Sequence, residues 1–441
     1  MTGMEKILHA ELGVAREPLR APFGFKGGTL RELWQVCVRL TLEGGESGMG
    51  VGVQSVLWSD PAVFCAYDEA GGNEKMLDVT RHALRLLRGM TFTTPPEMTA
   101  ALVPRLLAGA RERLGRAQVP QTFVLNALVA VDFALWQLWN QKHGDGTFGA
   151  LAQAFCPALN GHETVLGGIP LITYHTPEAE VRGLLEGGAF LLKIKIGSDP
   201  NGDGDTAAML AWDTARLREI HAAASAYTTP YTDCGRPVYY LDANGRYPNR
   251  DWLLRLLDAA DRMGALERIV LLEEPFPEGA PAFVGDLPVR AAGDESAHSA
   301  ADVARLTGEY GYAAIACKPI AKTLSVTLEM VRAAQKSGAV CFCADLTVPP
   351  VLLDWNMSLA ARLPRVPGLR AGVVESNGPQ NYTDWQRLDA MCAVPRAPWR
   401  AGQNGLYRLC GAFYGQSGLF SPLPAYAKLL KGGAGHAPMG E

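Results

Sequence analysis

The rhythm of apolar and polar positions changes once along this chain. Over residues 1–145 there is no repeating strand–helix unit. Apolar residues alternate with a period of two through LWQVCVRLTLEGG and again through GMGVGVQSVLW, with a Gly-rich turn between them. That pattern predicts an antiparallel meander. Helical spacing follows in LDVTRHALRLLRGM, AALVPRLLAGARERL and LNALVAVDFALWQLWNQK. Strands first and helices after predict a separate α+β domain.

From Ile169 onward, short apolar runs alternate with helical stretches. The runs are GIPLITY, FLLKIKIG, VYYLDANG, RIVLLEEP, VRAAGDES, AIACKPI, AVCFCAD and GVVESNG. Between them lie WDTARLREIHAAASA, WLLRLLDAADRMG, ADVARLTGEYG and SVTLEMVRAAQKSG, several ending in glycine as a helix C-cap does. Eight strands alternating with helices predict a (β/α) barrel over residues 146–394 rather than an open sheet. The interval before VYYLDANG is long because AYTTPYTDCGRPV, residues 226–238, reads as an inserted loop. Residues 395–441 form a last segment. GLYRLCGAFYGQSGLF within it reads as strand-like and is expected to return to the first domain, and GGAGHAPMGE reads as a disordered tail.

Composition narrows the function classes. A chain of 441 residues suits two domains, and 48% hydrophobic with 20% charged residues is ordinary for a globular protein. A net charge of −4 gives no reason to expect nucleic acid or an anionic membrane surface. No apolar run is expected to approach the ~20 residues that a membrane span needs, and MTGMEKILHAELG shows no secretory signal. The nine cysteines are scattered without a framework, which points to reduced, buried thiols in a cytoplasmic protein. Cys341-Phe-Cys343 lacks a nearby second ligand pair for zinc. The expected partners are a small-molecule carboxylate and further copies of the chain.

The candidate chemistry sits where the barrel strands end. Lys193 and Lys195, Asp242 and Asn244, Glu273 and Glu274, Asp294 and Glu295, and Lys318 each close an apolar run. The C-terminal strand ends are where such a barrel builds its site. Any one of these motifs alone reads as a solvated strand end or a turn; five in succession do not. With a side-chain period of two, only one acid of each adjacent pair is expected to point inward. Strands three, four and five then supply one carboxylate each. Three hard oxygen ligands suit Mg²⁺, with Mn²⁺ as a substitute, better than zinc.

These K-x-K, D-x-N, E-E-P, D-E-S and K-P elements, in this order, resemble the enolase superfamily, and within it mandelate racemase- and muconate lactonizing enzyme-like proteins. AVDFALWQLWNQKHG resembles the helix that leads from that family's capping domain into its barrel. The resemblance implies a modified (β/α)8 barrel, (β/α)7β, under an α+β capping domain that governs substrate choice. It implies Asp242, Glu273 and Asp294 as metal ligands. Lys195 and Lys318 become the two acid/base groups, Lys193 touches the substrate carboxylate and tunes Lys195, and Asn244 supports the metal site. The implied reaction is abstraction of the proton next to a carboxylate through a metal-stabilised enediolate. A lysine must be neutral to act as base, so Lys195, beside Lys193 and the metal cation, is expected to fall from ~10.4 towards ~7–8.

Two lysines facing one carbon permit racemisation, epimerisation or cycloisomerisation. The family's other arrangement, a His after strand seven paired with an Asp, is missing: CFCADLTVPP offers only Asp345. Dehydration of a sugar acid is therefore the alternative, and a non-catalytic binding barrel a third reading. His175 and His298 follow strands one and five and read as ordinary loop histidines. Glu375 and Asn377 stand where dipeptide epimerases carry D-x-D, and Gln137 where the family often has Asp. In PFGFKGG, Phe23, Phe25 and Lys26 resemble the mobile capping loop over the ligand.

Overall fold

The structure, a computed structural model, describes residues 5–25 and 28–432. The chain begins with a three-stranded antiparallel sheet, β1 (Ile7–Phe25), β2 (Gly28–Leu42) and β3 (Ser47–Gln54), in the order β1-β2-β3. The meander is thus one strand larger than the alternation indicated. Charged Glu11, Arg16 and Glu17, with Pro18 and Pro22, interrupt the apolar period of β1, and its register shifts between Pro18 and Phe23.

Helices Pro61–Leu87 and Gln121–His143 cover this sheet, and Pro95–Leu114 packs on those two helices. Pro95–Leu114 carries a full capping box, with Thr94 and Glu97 each bonded to the other's backbone N–H. Gln121–His143 corrects the expectation about apolar runs, because it is long and apolar enough to cross a membrane. Its apolar stretch, Thr122–Asn140, is instead buried within the protein, pressed against β3. Gly48, Gly50 and Gly52 lie on one face of β3, where a Cβ would collide with the backbone of Ala134 or Ala130. Glycine at alternate positions lets helix and sheet approach backbone to backbone.

The barrel strands are β4 (Val165–Ile169), β5 (Leu171–Ile172), β6 (Leu191–Lys195), β7 (Val238–Asp242), β8 (Ile269–Glu273), β9 (Ala291–Gly293), β10 (Ala314–Cys317), β11 (Val340–Cys343) and β12 (Gly372–Glu375). All pair in parallel, in sequence from β5 to β12. β4 and β5 are halves of one strand broken at Pro170. The first half pairs with β12 and the second with β6, so eight strands close into a ring. The Pro170 carbonyl still accepts from Lys193 N at 3.1 Å, while its missing N–H ends the ladder on the other side.

Two expected features take different places. The insertion 226–238 lies at the barrel floor, at the N-terminal ends of the strands. Thr232 bridges Leu369, Arg370 N donates to the Tyr231 carbonyl at 2.8 Å, and the Tyr231 ring packs 5.3 Å from Phe190. It lies at the opposite end of the barrel from the strand-end lysines and acids. The stretch GLYRLCGAFYGQSGLF is strand only at β13 (Leu406–Arg408), antiparallel to β4, and helix over Gly411–Gln416. The contact with the N-terminal sheet comes later, where Tyr426 Oη donates to Gln35 Oε1 at 2.9 Å and Leu429 backbone lies against Gly13. The tail from residue 433 lies outside the described residues.

Candidate active site

Strand register brings the charged residues side by side. Lys195 pairs across to Asp242, and Asp242 across to Glu273, at the C-terminal ends of β6, β7 and β8. Asp294, Lys318 and Asp345 follow the ends of β9, β10 and β11, and Glu375 ends β12. Apart from Lys195, all of these are buried.

Lys193 is the hub. Its Nζ lies 3.0 Å from Asp242 Oδ2, 2.9 Å from Glu273 Oε2 and 3.1 Å from Glu375 Oε2, and 4.6 Å from the Tyr240 ring centre. Burial alone would lower its pKa, but the three carboxylates overcome burial and hold the ammonium well above its ordinary value. Lys195 Nζ sits 2.6 Å from the same Asp242 oxygen and also donates to Asn244 Oδ1. Burial opposes ionisation of Asp242, yet Lys193 and Lys195 keep its carboxyl below the usual range.

On the other side, Lys318 pairs with Asp294 Oδ2, and Lys322 holds Asp294 Oδ1 at 3.0 Å and the Asp294 carbonyl at 2.7 Å. These lysines likewise outweigh burial and hold Asp294 well below the carboxylate range. Lys318 is itself raised: burial pulls it down, and Asp294 and Glu273 pull it further up. The acids around Lys193 and Lys318 thus hold both as ammonium groups.

Both members of each acid pair turn into this network, contrary to the alternation argument. β8 stops at Glu273, and Glu274 adopts a φ of 39°, which breaks the period of two. Glu274 accepts from Asp294 N at 2.7 Å and from Ser296 Oγ. Burial, then the Glu295 charge, push its carboxyl up to about 8. Glu295 in turn accepts from Asn244 Nδ2 at 3.0 Å.

Among the described residues no group of three Asp, Glu, His or Cys side chains stands close enough to hold a metal ion, and Lys193 Nζ lies between Asp242 and Glu273. The chemistry of the donors nonetheless suits a hard dication. Seven acids (Asp242, Glu273, Glu274, Asp294, Glu295, Asp345, Glu375) face four lysines (193, 195, 318, 322). Glu273 Oε1 is buried with no hydrogen-bond partner. Burial, then the charges of Asp242 and Asp294, push Glu273 well above its ordinary value. A cation among these three oxygens would relieve that repulsion.

A cavity of about 560 Å³, counted out to solvent, opens over Lys193, Lys195, Lys318, Asp242 and Asn244. The β1–β2 sheet and Trp58 roof it, and Asp345, Glu375 and Asn377 line one side. Asp345 is occupied by backbone amides, with Asn377 N at 2.7 Å from its Oδ2. Burial and the Glu375 charge raise it to about 7. Lys26 lies outside the described residues, as do the side chains of Phe23 and Phe25. His175 is exposed, and His298 bonds Glu278 at 2.6 Å; neither lines the cavity.

Four residues here escaped the sequence reading. Tyr240 donates to Glu273 Oε2 and lies two residues before Asp242, on the same strand face, so the period of two could have found it. Lys322 lies one helical turn from Lys318, a spacing visible in KPIAK. Trp58, whose ring centre is 4.8 Å from Lys318 Nζ, and Asp132 carry no local signal, since both reach the lysine loop from the cap. Asp132 Oδ1 accepts from Thr99 and Ser325 hydroxyls, and its Oδ2 from Leu324 N at 2.8 Å and Ser325 N at 3.2 Å.

No family model matches the chain, and no curated protein matches it. Solved structures do. A mandelate racemase/muconate lactonizing protein from Herpetosiphon aurantiacus is 20% identical, with 93% of this chain and 97% of that chain covered and a TM-score of 0.61. A muconate lactonizing enzyme from Pseudomonas fluorescens complexed with muconolactone is 17% identical over 92% and 95%, with a TM-score of 0.62. A dipeptide epimerase from Enterococcus faecalis complexed with Mg and the dipeptide L-Leu-L-Tyr is 17% identical over 92% and 97%, with a TM-score of 0.58. The chain shares the fold of these solved structures, a capped barrel along nearly its whole length.

Proposed function

We propose that this chain, with its enolase-superfamily fold, is a Mg²⁺-dependent isomerase. It would remove the proton next to a substrate carboxylate and return it, as a racemase or epimerase, or use the same proton abstraction for cycloisomerisation. The observation that carries this reading is the entry of Lys195 and Lys318 into one cavity from either side of the acids, from β6 and from beyond β10. One lysine would take the proton from one face of the carbon and the other deliver it to the opposite face. Lys193, fixed by three carboxylates, would bind and orient the substrate carboxylate. Asn244 would hold Lys195 and Glu295 in place. Asp242, Glu273 and Asp294 would hold Mg²⁺, which when bound supplies positive charge beside the carboxylate oxygens as negative charge develops there.

Dehydration of a sugar acid draws no support from the site. It calls for a further acid beside the leaving hydroxyl, and the backbone amides around Asp345 already engage that carboxylate. Proton NMR of a carboxylate panel in D₂O with Mg²⁺ tests the proposal. The expected outcome is loss of the signal at the carbon next to the carboxylate, slowed about 10²–10⁴-fold for one stereoisomer by Lys195→Ala and for the other by Lys318→Ala. Accumulation of a keto-deoxy acid, or variants that exchange like the wild type, would contradict it.

A further inference from the structure

Away from the barrel mouth, one buried cation has no counter-charge. Four arginines are buried among the described residues. Arg400 pairs with Asp354 and Asp389, and Arg216 with Glu219. Arg268 donates from Nε, Nη1 and Nη2 at once. Arg362 is 7% exposed and makes one hydrogen bond among the described residues, from Nη1 to the Ser358 carbonyl at 2.8 Å. Glu163, whose backbone N–H reaches the Ala361 carbonyl, gives its carboxylate to Arg365 instead, at 2.5 and 3.0 Å. Burial therefore pulls the Arg362 pKa below its ordinary value with no carboxylate to oppose it.

Aromatic rings hold this guanidinium in place. Phe148 and Tyr414 each lie with their ring centres 5.0 Å from its Cζ. Tyr414 is fixed in turn by stacking on His162, 3.6 Å between ring centres, and by donating to the Glu163 carbonyl at 2.6 Å. The rings offset part of the desolvation of the cation but accept none of its N–H bonds. The unpaired side of Arg362 faces a cleft. Its Nη2 lies 4.0 Å from where a Cβ on Gly149 would stand, and Gly149 lines a cleft of about 860 Å³, counted out to solvent, with Gln153, Asn160, His162 and Arg362 itself. No acid is among the described lining residues. Gly149 belongs to the first turn of helix Phe148–Phe155, which has no acidic residue there, so the positive end of the helix adds to the charge of Arg362. Asp145, just before it, is taken up by Thr147 N at 2.9 Å and the Thr147 hydroxyl at 2.6 Å. Gly161 N donates to the Arg362 carbonyl at 3.2 Å just before β4 begins. The cleft therefore lies at the barrel floor, at the opposite end from the strand-end lysines.

We propose that this cleft is a second binding site, which takes the carboxylate or phosphate group of a small anionic molecule on Arg362. A buried cation without an acid is costly, and an anion in the cleft removes that cost. With Nη1 engaged by Ser358, the Nε and Nη2 groups form the fork that accommodates two oxygens of one carboxylate or phosphate. Gln153 and Asn160, both exposed along the cleft, offer amide groups to the rest of the molecule. Nothing in this site depends on the reaction proposed for the mouth.

Calorimetric titration of the full chain with inorganic phosphate and with succinate, at constant ionic strength, tests the site. Saturable binding is expected for at least one of them, phosphate alone marking a phosphate ligand and succinate alone a carboxylate. Arg362→Gln should weaken that binding at least about tenfold, as loss of a charged hydrogen bond does. Because Arg362 also packs on Phe148 and Tyr414, Gly149→Glu serves as a second variant. It sets a carboxylate beside Nη2 while Arg362 stays in place, and should weaken binding as much. Gly149→Ala, whose Cβ meets Thr147 Oγ1 at 3.4 Å and Arg362 Nη2 at 4.0 Å, should bind like wild type. So should Lys195→Ala, at the other end of the barrel. No saturable binding of either anion, or binding that Lys195→Ala removes and both Arg362→Gln and Gly149→Glu keep, would overturn the proposal. The readout is binding alone, so failure here and failure of the proton transfer proposed for the mouth are separate results.

Discussion

At the scale of single residues the site is a problem in charge balance. Lys322 is an interior cation that holds Asp294, while Lys193, Lys195 and Lys318 line the cavity. Asp345 shows how burial enters the stability of the molecule. Its carboxyl titrates at about 7 in the fold, with burial the first cause and Glu375 the second, against ~3.9 when unfolded. A raised acid contributes stability that is complete below the unfolded value and is lost as pH rises through the folded one. Asp345→Asn removes that dependence. The urea midpoint of the variant, relative to wild type, should therefore improve between pH 5 and pH 8; an equal gap at both pH values would refute the assignment. Sequence reading found the strand-end lysines and acids because they close apolar runs. It misjudged which acids turn inward, because alternation holds only inside a strand, and β8 stops at Glu273 before the left-handed Glu274.

At the scale of elements, the cap does more than roof the cavity. Lys318 is followed by the short helix Pro319–Lys322, then by Thr323 at φ 68° and ψ 151°, then by helix Leu324–Ser337. A β-branched residue in that conformation is strained and needs support from its surroundings. Asp132, on the buried cap helix, accepts the first two amides of Leu324–Ser337 and so clamps this joint. Asp132→Ala strands two buried amides and two hydroxyls and should cost about 3 kcal/mol in urea unfolding. Asp132→Asn should lose less than about 1 kcal/mol, since its oxygen can take the amides while its NH₂ donates to the two hydroxyls. Equal losses in the two variants would contradict this picture. None of it was legible locally: AVDFALW announces a buried helix, but the partners of Asp132 lie 33 and about 190 residues away.

At the scale of the whole molecule, the alternation of eight strands with helices was enough to specify the barrel, since that rhythm leaves few ways to bury both sheet faces. What the rhythm could not reveal was the closure at Pro170, where one strand changes partners, and the destination of the 226–238 insertion at the floor. The capped barrel places two lysines on either side of one cavity, and the central claim is that they serve opposite faces of one carbon. The most direct measurement follows deuterium uptake at that carbon, in D₂O with Mg²⁺, from each of two separate stereoisomers of an active carboxylate. Lys195→Ala should abolish exchange from one isomer and spare the other, and Lys318→Ala should show the reverse. Loss of exchange from the same isomer in both variants, or from neither, would contradict the two-lysine account.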